Sequence, residues 1–428
     1  MKKLNIAIVG LGNIGSYLYK YLNDNKKILT EKNNCTPIIK YVSAKNIKRK
    51  RNVKIKKNQW LKNYLDATKK NDVDLIIELI GGAEGAAKKL VFSALKNKKH
   101  VVTANKALIA KYGNQLSKIA EVNKVNLEFE AAVCGGVPII RSLKEGLIAN
   151  RISKIYGIFN GTSNYILSSM DNENKNFEEV LSNAKKLGYA ESNPSADLNG
   201  DDVSSKLKIL SSLCFNTLLN NNIYVEGIKN IDKTDINNAN KLGYKIKLLG
   251  FAEILKNKFY QRVHPTLIKK DSYVASIDGV LNAVIIDGKP IGQTIIQGEG
   301  AGPAATTSAL VSDISSILRG NIKFPFSLSA KERKRIYFNN IDDRFFSAYL
   351  RFEVVDKPGI LSNITNIFSK NKVSIKRLVQ NPDKNKKTSS IIIITHKSKD
   401  KFLKKIIKIV SKKKYIKQKP KLIRIDEI

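Results

Sequence analysis

From Leu4 to Val9 the chain is a short run of apolar, β-branched residues, broken by Gly10-Leu11-Gly12-Asn13-Ile14-Gly15. Ser16 to Leu22 then carries apolar positions at helical spacing. The pattern predicts strand, glycine turn, helix. A polar linker leads to a second strand over Pro37–Ser43. A third, Asp74–Ile80, is almost continuously apolar, as a strand covered on both faces should be, and Gly81-Gly82 ends it. A helix over Ala86–Lys96, a strand over His100–Thr103, a helix over Ala107–Val122 and a strand over Asn126–Glu130 continue the alternation. Strands and helices alternating at these lengths predict an α/β fold, a Rossmann doubly wound parallel sheet, over residues 1–130.

After Glu130 the pattern changes. A glycine-rich turn, Cys134-Gly135-Gly136-Val137-Pro138, opens longer mixed segments that read as a second, α+β domain over 131–320, with its last helix returning to the first domain. The polar stretch Arg319–Asp343 has no sustained periodicity and predicts a linker over 321–344. Beyond it the chain reads strand (Tyr349–Val355), turn (Asp356-Lys357-Pro358-Gly359), helix (Ile360–Lys370), strand (Val373–Val379), strand (Ser389–Thr395), helix (Phe402–Val410) and strand (Lys421–Ile425). This βαββαβ order over 345–428 is ferredoxin-like.

Composition adds three constraints. At 428 residues the chain exceeds what one hydrophobic core serves. Lys and Arg number 76 against 37 Asp and Glu, a net charge of +39, which first suggests a nucleic-acid or anionic-membrane partner. Yet the lysines spread along the whole chain with many Asn and Ile, as a drift toward A/T-rich codons produces. No zinc finger, basic zipper or RNP pattern accompanies them, so neither nucleic acid nor membrane is expected as a partner. The excess charge helps draw in anionic cofactors and substrates at low salt. Cys35, Cys134 and Cys214, odd in number and widely spaced, point to a reducing cytoplasmic setting. No apolar stretch reaches the roughly 18 residues of a membrane span.

The chemistry begins at the first turn. Gly10 permits the tight bend, Gly12 lets the backbone approach a pyrophosphate, and Gly15 lets helix and strand pack closely, so Gly10 to Gly15, with Asn13 and Ile14 between, reads as a dinucleotide-binding loop. No acidic residue follows the second strand to bind the ribose hydroxyls; the chain offers Ser43-Ala44-Lys45-Asn46, then Lys48 and Arg49. Cations there suit a 2′-phosphate, so NADP(H) is expected alongside NAD(H), with Lys45 as its contact. Thr103-Ala104-Asn105-Lys106 ends a strand at its carboxyl side, where such sheets place ligands. Asp202 and Lys206, four apart, share a helix face; the plain alternative is an exposed ion pair worth a few tenths of a kcal/mol.

The ordered segments GLGNIG, ELIGG, VVTANKALIA, EAAVCGGVP, NGTSNYIL, LGYAESNP, ADLNGDDVSSK, RVHPTL and GEGAG resemble homoserine dehydrogenase over residues 1 to 320. FEVVDKPGIL and the later ITHK resemble the ACT regulatory domain. The resemblance implies NAD(P)H-dependent interconversion of L-aspartate 4-semialdehyde and L-homoserine, in threonine, methionine and isoleucine biosynthesis. It makes 131–320 the substrate-binding, catalytic and dimerisation domain. It implies Lys206 as proton donor to the carbonyl oxygen, Lys106 as its support, and Asp202 as the group that orients Lys206. Glu191, with Asp197 near, would bind the substrate amino group, and Asn160, Gly161, Thr162 and Tyr189 would line the pocket. Thr103, Lys106, Gly188, Gly300 and Gly302 would touch the cofactor. Glu130, Val133, Gly135 and Val137 match a site for a monovalent cation such as Na+. Asp356 and Gly359 mark an effector site for which L-threonine is the expected ligand, and the ACT module is expected to pair between subunits of a homodimer or homotetramer.

A lysine donating a proton near neutral pH is expected to have a depressed pKa, supplied by a second ammonium nearby and partial desolvation. Ser192-Asn193 departs from the family pattern, which has a second acidic residue before the proline, and so weakens the anionic wall around the substrate ammonium. An acylating semialdehyde dehydrogenase would need a Cys with a His base, a pair the sequence does not offer. A ligand sensor with a dead enzyme in front would not need the intact Lys106, Glu191, Asp202 and Lys206.

Overall fold

A computed structural model describes residues 2–383, 385 and 387–428. Five parallel strands, β1 (Lys2–Val9), β2 (Cys35–Ser43), β3 (Leu75–Glu78), β4 (His100–Thr103) and β5 (Leu127–Glu128), lie in the order β2-β1-β3-β4-β5. β3 is buried along its whole length, which is why its sequence is an unbroken apolar run. Helices Asn13–Asp24, Ala86–Lys96 and Lys106–Val122 cover the sheet. The helix Pro303–Leu318 returns to it, packing Leu310, Ile314 and Ile317 with Ile6, Ile8, Leu18 and Leu22.

Two elements differ from expectation. The polar linker after the first helix is itself helical over Lys26–Asn33, but only Leu29 and Asn33 turn inward, too few apolar positions to reveal a period. The strand expected to reach Glu130 stops at Glu128, because Phe129 leaves the extended region and Glu130–Ala132 form one tight 3₁₀ turn.

The second sheet has eleven strands. They are β6 (Arg151–Ile158), β7 (Tyr224–Val225), β8 (Tyr244–Leu255), β9 (Lys258–Lys269), β10 (Leu281–Lys289), β11 (Gly292–Glu299), β12 (Phe345–Val355), β13 (Ile375–Asp383), β14 (Thr388–Thr395), β15 (Ser398–Lys399) and β16 (Lys421–Ile425). Their order is β11-β10-β6-β8-β9-β16-β12-β14-β13, with β7 paired to β9 and β15 to β12. The run β16-β12-β14-β13, with helices Ile360–Lys370 and Asp400–Val410, is the ferredoxin-like module that the C-terminal pattern predicts. β16 does not end the sheet: it pairs in parallel with β9, Arg424 opposite Thr266 and Ile425 opposite Leu267. The expectation that open edges are left for another subunit therefore applies to β13 alone.

The stretch read as a linker is fastened to the body. Phe326, Arg333, Phe338 and Ile341 are buried, Arg333 donates to Ser117 Oγ (2.5 Å), and single bridges join Thr217 to Lys334 and Phe259 to Phe338. Its anchors reach different neighbours one at a time, so no period marks them.

Charge crosses the join between β9 and β16. The fully buried Arg262 donates to Glu253 Oε1 (2.5 Å) and Asp426 Oδ1 (3.1 Å), and Arg344 holds the same Glu253 oxygen at 2.9 Å. Burial alone would raise the Glu253 pKa, but the two guanidiniums hold it at about 2. A carboxyl held below its ordinary 4.5 contributes stability above that value and loses it as pH falls toward 2. Glu253→Gln, which leaves Arg262 short of a partner, should cost about 3 kcal/mol at neutral pH. Thermal denaturation against pH checks this: the variant should melt lower at pH 7 and lose less than the parent on acidification from 4.5 to 2.

Candidate active site

The first turn has the shape a dinucleotide needs. Gly10 sits at φ +108°, and a Cβ there would stand 2.4 Å from the Leu79 carbonyl oxygen; a Cβ on Gly15 would stand 2.0 Å from the Gly10 oxygen. Only glycine fits either position. At Gly12, nothing lies within 4 Å of where a Cβ would be, so its backbone faces open space at the start of the helix Asn13–Asp24. A cleft of about 410 Å³ lies against it, lined by Gly12, Asn13, Ser16, Arg49, Lys50, Arg51 and Pro303 among others. Arg51 shapes its wall by donating to Leu11 O (3.1 Å) and Asn46 O (2.6 Å) with its guanidinium 5.3 Å from the Trp60 ring centre. Lys45, the expected phosphate contact, is exposed and does not line this cleft. The loop turns after Ser43 and brings Arg49, Lys50 and Arg51 there instead.

At the carboxyl ends of β3 and β4 the Thr103 side chain joins a polar network. Thr103 is fully buried, and its hydroxyl donates to Glu78 Oε2 (2.5 Å) and accepts from the Asn105 amide (2.9 Å). It is held inside the protein and braces the turn. Glu78 Oε1 accepts from the amides of Ile80 and Gly81, a role that sequence reasoning missed because ELIGG reads only as a strand end. Asn105 caps the next helix through Leu108 N (3.0 Å) and aims Lys106 away from the sheet.

Lys106 meets the second domain at Asp202. Its Nζ lies 2.8 Å from Asp202 Oδ1, and Lys206 Nζ lies 2.9 Å from Asp202 Oδ2. Lys206 also donates to the Phe159 carbonyl (2.6 Å), and Asn160 Nδ2 donates to both Asp202 Oδ2 and Asp197 Oδ1, each at 2.8 Å. Asp202 and Lys206 are 5% and 7% exposed, which excludes the plain surface ion pair. Sequence spacing paired these two but could not bring Lys106 or Asn160 to them.

The electrostatics correct one expectation. Burial pushes the Lys206 pKa down, but Asp202 outweighs it and, with Asp197, holds it above the ordinary lysine value. The depressed pKa expected of the proton donor is absent because a carboxylate sits between the two ammonium groups. Burial likewise pushes Asp202 up, and Lys206 and Lys106 together hold it far below the carboxylate range. Asp197 is raised, chiefly by burial, against the Asn160 hydrogen bond. Cys134, buried at the glycine-rich turn, is pushed up to about 11 by burial and offers no thiolate.

The remaining candidates fall at different distances from this cluster. Gly161 starts the helix Gly161–Asn172 that Asn160 caps through Ser163 N (2.7 Å), and Thr162 donates to the Tyr189 carbonyl (2.6 Å). Gly188, at φ +77°, turns the chain into Tyr189, whose half-exposed ring packs on Tyr165. Glu191 is exposed and joins no ion pair among the described residues. Gly300 and Gly302 flank the start of the helix Pro303–Leu318, and a Cβ on Gly135 would stand 2.4 Å from the Gly300 oxygen, so the two glycine turns interlock.

Glu130 is not free to bind a cation through its side chain. Its carboxylate oxygens accept from the amides of Ile140 (2.8 Å) and Arg141 (2.7 Å), and burial raises its pKa to about 7. The Glu130 and Val137 carbonyls accept from Val133 N and Ile139 N. Among the described residues, no group of three His, Cys, Asp or Glu side chains could hold a metal ion. In the C-terminal module, Asp356 and Gly359 line a cavity of about 380 Å³ at the start of the helix Ile360–Lys370.

A parallel dinucleotide-binding sheet whose glycine loop opens beside a cationic cleft, with a Lys–Asp–Lys cluster around a buried carboxylate at its carboxyl end, defines an NAD(P)-dependent oxidoreductase. Family models described as "Homoserine dehydrogenase, NAD binding domain", "Homoserine dehydrogenase" and "ACT domain" match residues 10–130, 138–315 and 348–412. The chain is 38% identical to homoserine dehydrogenase of Neisseria gonorrhoeae over 435 residues, the whole of both chains, and 37% identical to that of Bacillus subtilis over 92% of each. Its structure is similar to a homoserine dehydrogenase from Thiobacillus denitrificans, with TM-score 0.92 and 35% identity over 100% of this chain and 99% of that one. A Staphylococcus aureus homoserine dehydrogenase matches with TM-score 0.76 and 32% identity over the whole of both. The chain belongs to the homoserine dehydrogenase family.

Asp202→Asn would remove the shared counter-charge and leave desolvation of Lys206 opposed mainly by the more distant Asp197, so its pKa should fall below 10.5. A buried lysine with a depressed pKa destabilises the fold while the unfolded chain still binds its proton, and this penalty fades as pH rises toward 10.5. The variant should therefore be less stable by about 3 kcal/mol at pH 7 and close part of the gap by pH 10. A gap that stays constant with pH in thermal denaturation would exclude this account.

Proposed function

We propose that the chain reduces L-aspartate 4-semialdehyde to L-homoserine, and runs the reverse reaction, with Lys206 donating the proton to the carbonyl oxygen. The observation that carries this reading is the Lys106–Asp202–Lys206 cluster at the carboxyl end of β4, in which Asp202 and Lys206 are buried and Lys106 reaches them from a partly exposed position. A nicotinamide dinucleotide, held through its pyrophosphate at the glycine loop, would supply or accept the hydride. Lys206, held protonated by Asp202, keeps a proton ready for the developing alkoxide, and Lys106 adds a second positive charge on the cofactor side. Asn160 ties Asp197 to Asp202, which fixes the acidic edge that meets the substrate ammonium, and the exposed Glu191 adds a second carboxylate for that ammonium. A monovalent cation such as Na+ would be taken by carbonyl oxygens among Glu130, Val133, Gly135 and Val137, the donor type hard cations take. The enzyme works in the cytoplasm, as a homodimer or homotetramer. L-threonine, caught by the amides at the Asp356–Gly359 turn, regulates it.

Assay of NADPH and NADH oxidation with aspartate semialdehyde tests the reading, and no turnover with either cofactor would overturn it. Lys206→Ala should cut kcat by about 10²-fold or more while cofactor binding stays near normal. The cleft beside Gly12 further supports NADP(H) as the preferred cofactor. Arg49→Ala should raise the KM for NADPH about tenfold more than that for NADH, because a charged hydrogen bond to the 2′-phosphate is lost. Lys45→Ala should do less, and equal effects of Arg49→Ala on both cofactors would count against the preference.

A further inference from the structure

One short segment, Tyr224 to Ile228, lies between the C-terminal module and the acidic residues of the cluster. On the module side, Arg424 of β16, only 1% exposed, donates to Glu226 Oε2 (2.9 Å) and Tyr224 Oη (3.0 Å). The same guanidinium holds both oxygens of the fully buried Asp400, at 2.7 and 3.1 Å, and Tyr224 donates to Glu226 Oε2 (2.8 Å). A guanidinium buried this deeply has no water to turn to, so these oxygens set its position.

On the site side the contacts are through backbone and leave no slack. The Ile228 amide donates to the Leu198 carbonyl (2.9 Å), and a Cβ on Gly227 would stand 2.0 Å from that same oxygen. Gly200, at φ +87°, begins the helix that carries Asp202, and a Cβ there would meet Val225 Cγ1 at 3.1 Å and Val263 Cγ1 at 3.2 Å. Asp197 precedes Leu198 directly, and Asp202 follows Gly200 by two residues. β7 and the Glu226 amide are pinned in turn to β9, through Tyr224 opposite Arg262 and Glu226 N on Val263 O (2.8 Å).

We propose that Arg424 of the C-terminal module is a positioning residue for the active site, acting through Tyr224 and Glu226 on the Leu198–Asp202 segment. The inference rests on the reading of the Lys106–Asp202–Lys206 cluster as the reaction centre. A shift of Tyr224–Ile228 moves Leu198 through the Ile228 hydrogen bond, and Gly227 and Gly200 lie where the two segments approach too closely to admit a Cβ. Asp197 and Asp202 ride on that segment, and Asn160 couples the two carboxylates, so both substrate binding and the orientation of Lys206 depend on it. The module is thereby part of the scaffold that sets the acid cluster, in addition to any ligand it binds.

The module has a second ionic tie that serves as the control. Tyr349 and Arg351 of β12 bond Asp235 on the helix Lys233–Lys241, Tyr349 through a hydroxyl contact of 3.2 Å, and this helix packs on β8. Tyr224→Phe, Glu226→Gln and Tyr349→Phe would be made in the full-length chain, with kcat and KM measured for semialdehyde and cofactor alongside the melting temperature. Tyr224→Phe and Glu226→Gln should lower kcat/KM for the semialdehyde roughly 2- to 30-fold and leave the NADPH KM unchanged. Arg424→Lys, which keeps the charge but loses the fork, should fall in the same direction. Tyr349→Phe should lower the melting temperature with kcat/KM unchanged. If Glu226→Gln does not fold, Tyr224→Phe, which removes one hydroxyl, decides alone. Unchanged kcat/KM in Tyr224→Phe, or an equal loss in Tyr349→Phe, overturns the proposal. A parent enzyme with no turnover overturns the underlying reading instead, whatever the variants do.

Discussion

Two ammonium groups meet one buried carboxylate, one of them buried beside it and the other partly open to solvent, and the carboxylate belongs to a different domain from that second ammonium. Asp202, buried on the helix Asp201–Phe215, gives one oxygen to Lys106 at the head of a helix of the parallel-sheet domain and the other to Lys206 one turn along its own helix. Removing two like charges from water is unfavourable unless something of opposite sign lies within reach, and here a single group serves both. Closing the domains on each other is therefore tied to assembling the site. The arrangement also decides the protonation state: Lys206 is held charged.

The same logic recurs at the join of the C-terminal module. Arg262, Arg351 and Arg424 are buried, and each has two or more carboxylates within hydrogen-bonding distance, with at least one on the far side of the join. Such pairs add little net stability over well-packed apolar residues, but separating them leaves a bare charge in a dry place. They specify one docking arrangement. The parallel pairing of β16 with β9 extends the substrate-domain sheet into the module, so a strand of the module lies next to the strand that supports Tyr224–Glu226.

On the cofactor side the constraint is steric. Gly10 and Gly15 have no room for a Cβ, whereas Gly12 opens on the cleft, so three glycines in one turn do three different things. The cationic wall of that cleft is built by a loop whose arginine is held by backbone carbonyls, which shows how a chain with an excess of lysine can still place particular charges with specificity. The net charge as a whole carries no such information.

The alternation of strands and helices, the glycine turn and the βαββαβ order were legible in the linear pattern, because each depends on neighbours within a few residues and on burial that repeats with a fixed period. Asp202 and Lys206 were legible as a pair for the same reason, four residues being one helical turn. The helix Lys26–Asn33, the fastened strap 321–344 and the brace from Thr103 to Glu78 were not, since single buried side chains leave no period. The sequence by itself determined the elements, the class of cofactor and the chemistry available to the site. Only the tertiary structure decided that Lys106 reaches Asp202, that a carboxylate between two lysines raises the pKa of Lys206, and that β16 finds its partner in β9. Each of these is a contact between residues far apart in the chain, settled by which charges must be buried together, and local pattern holds no record of that.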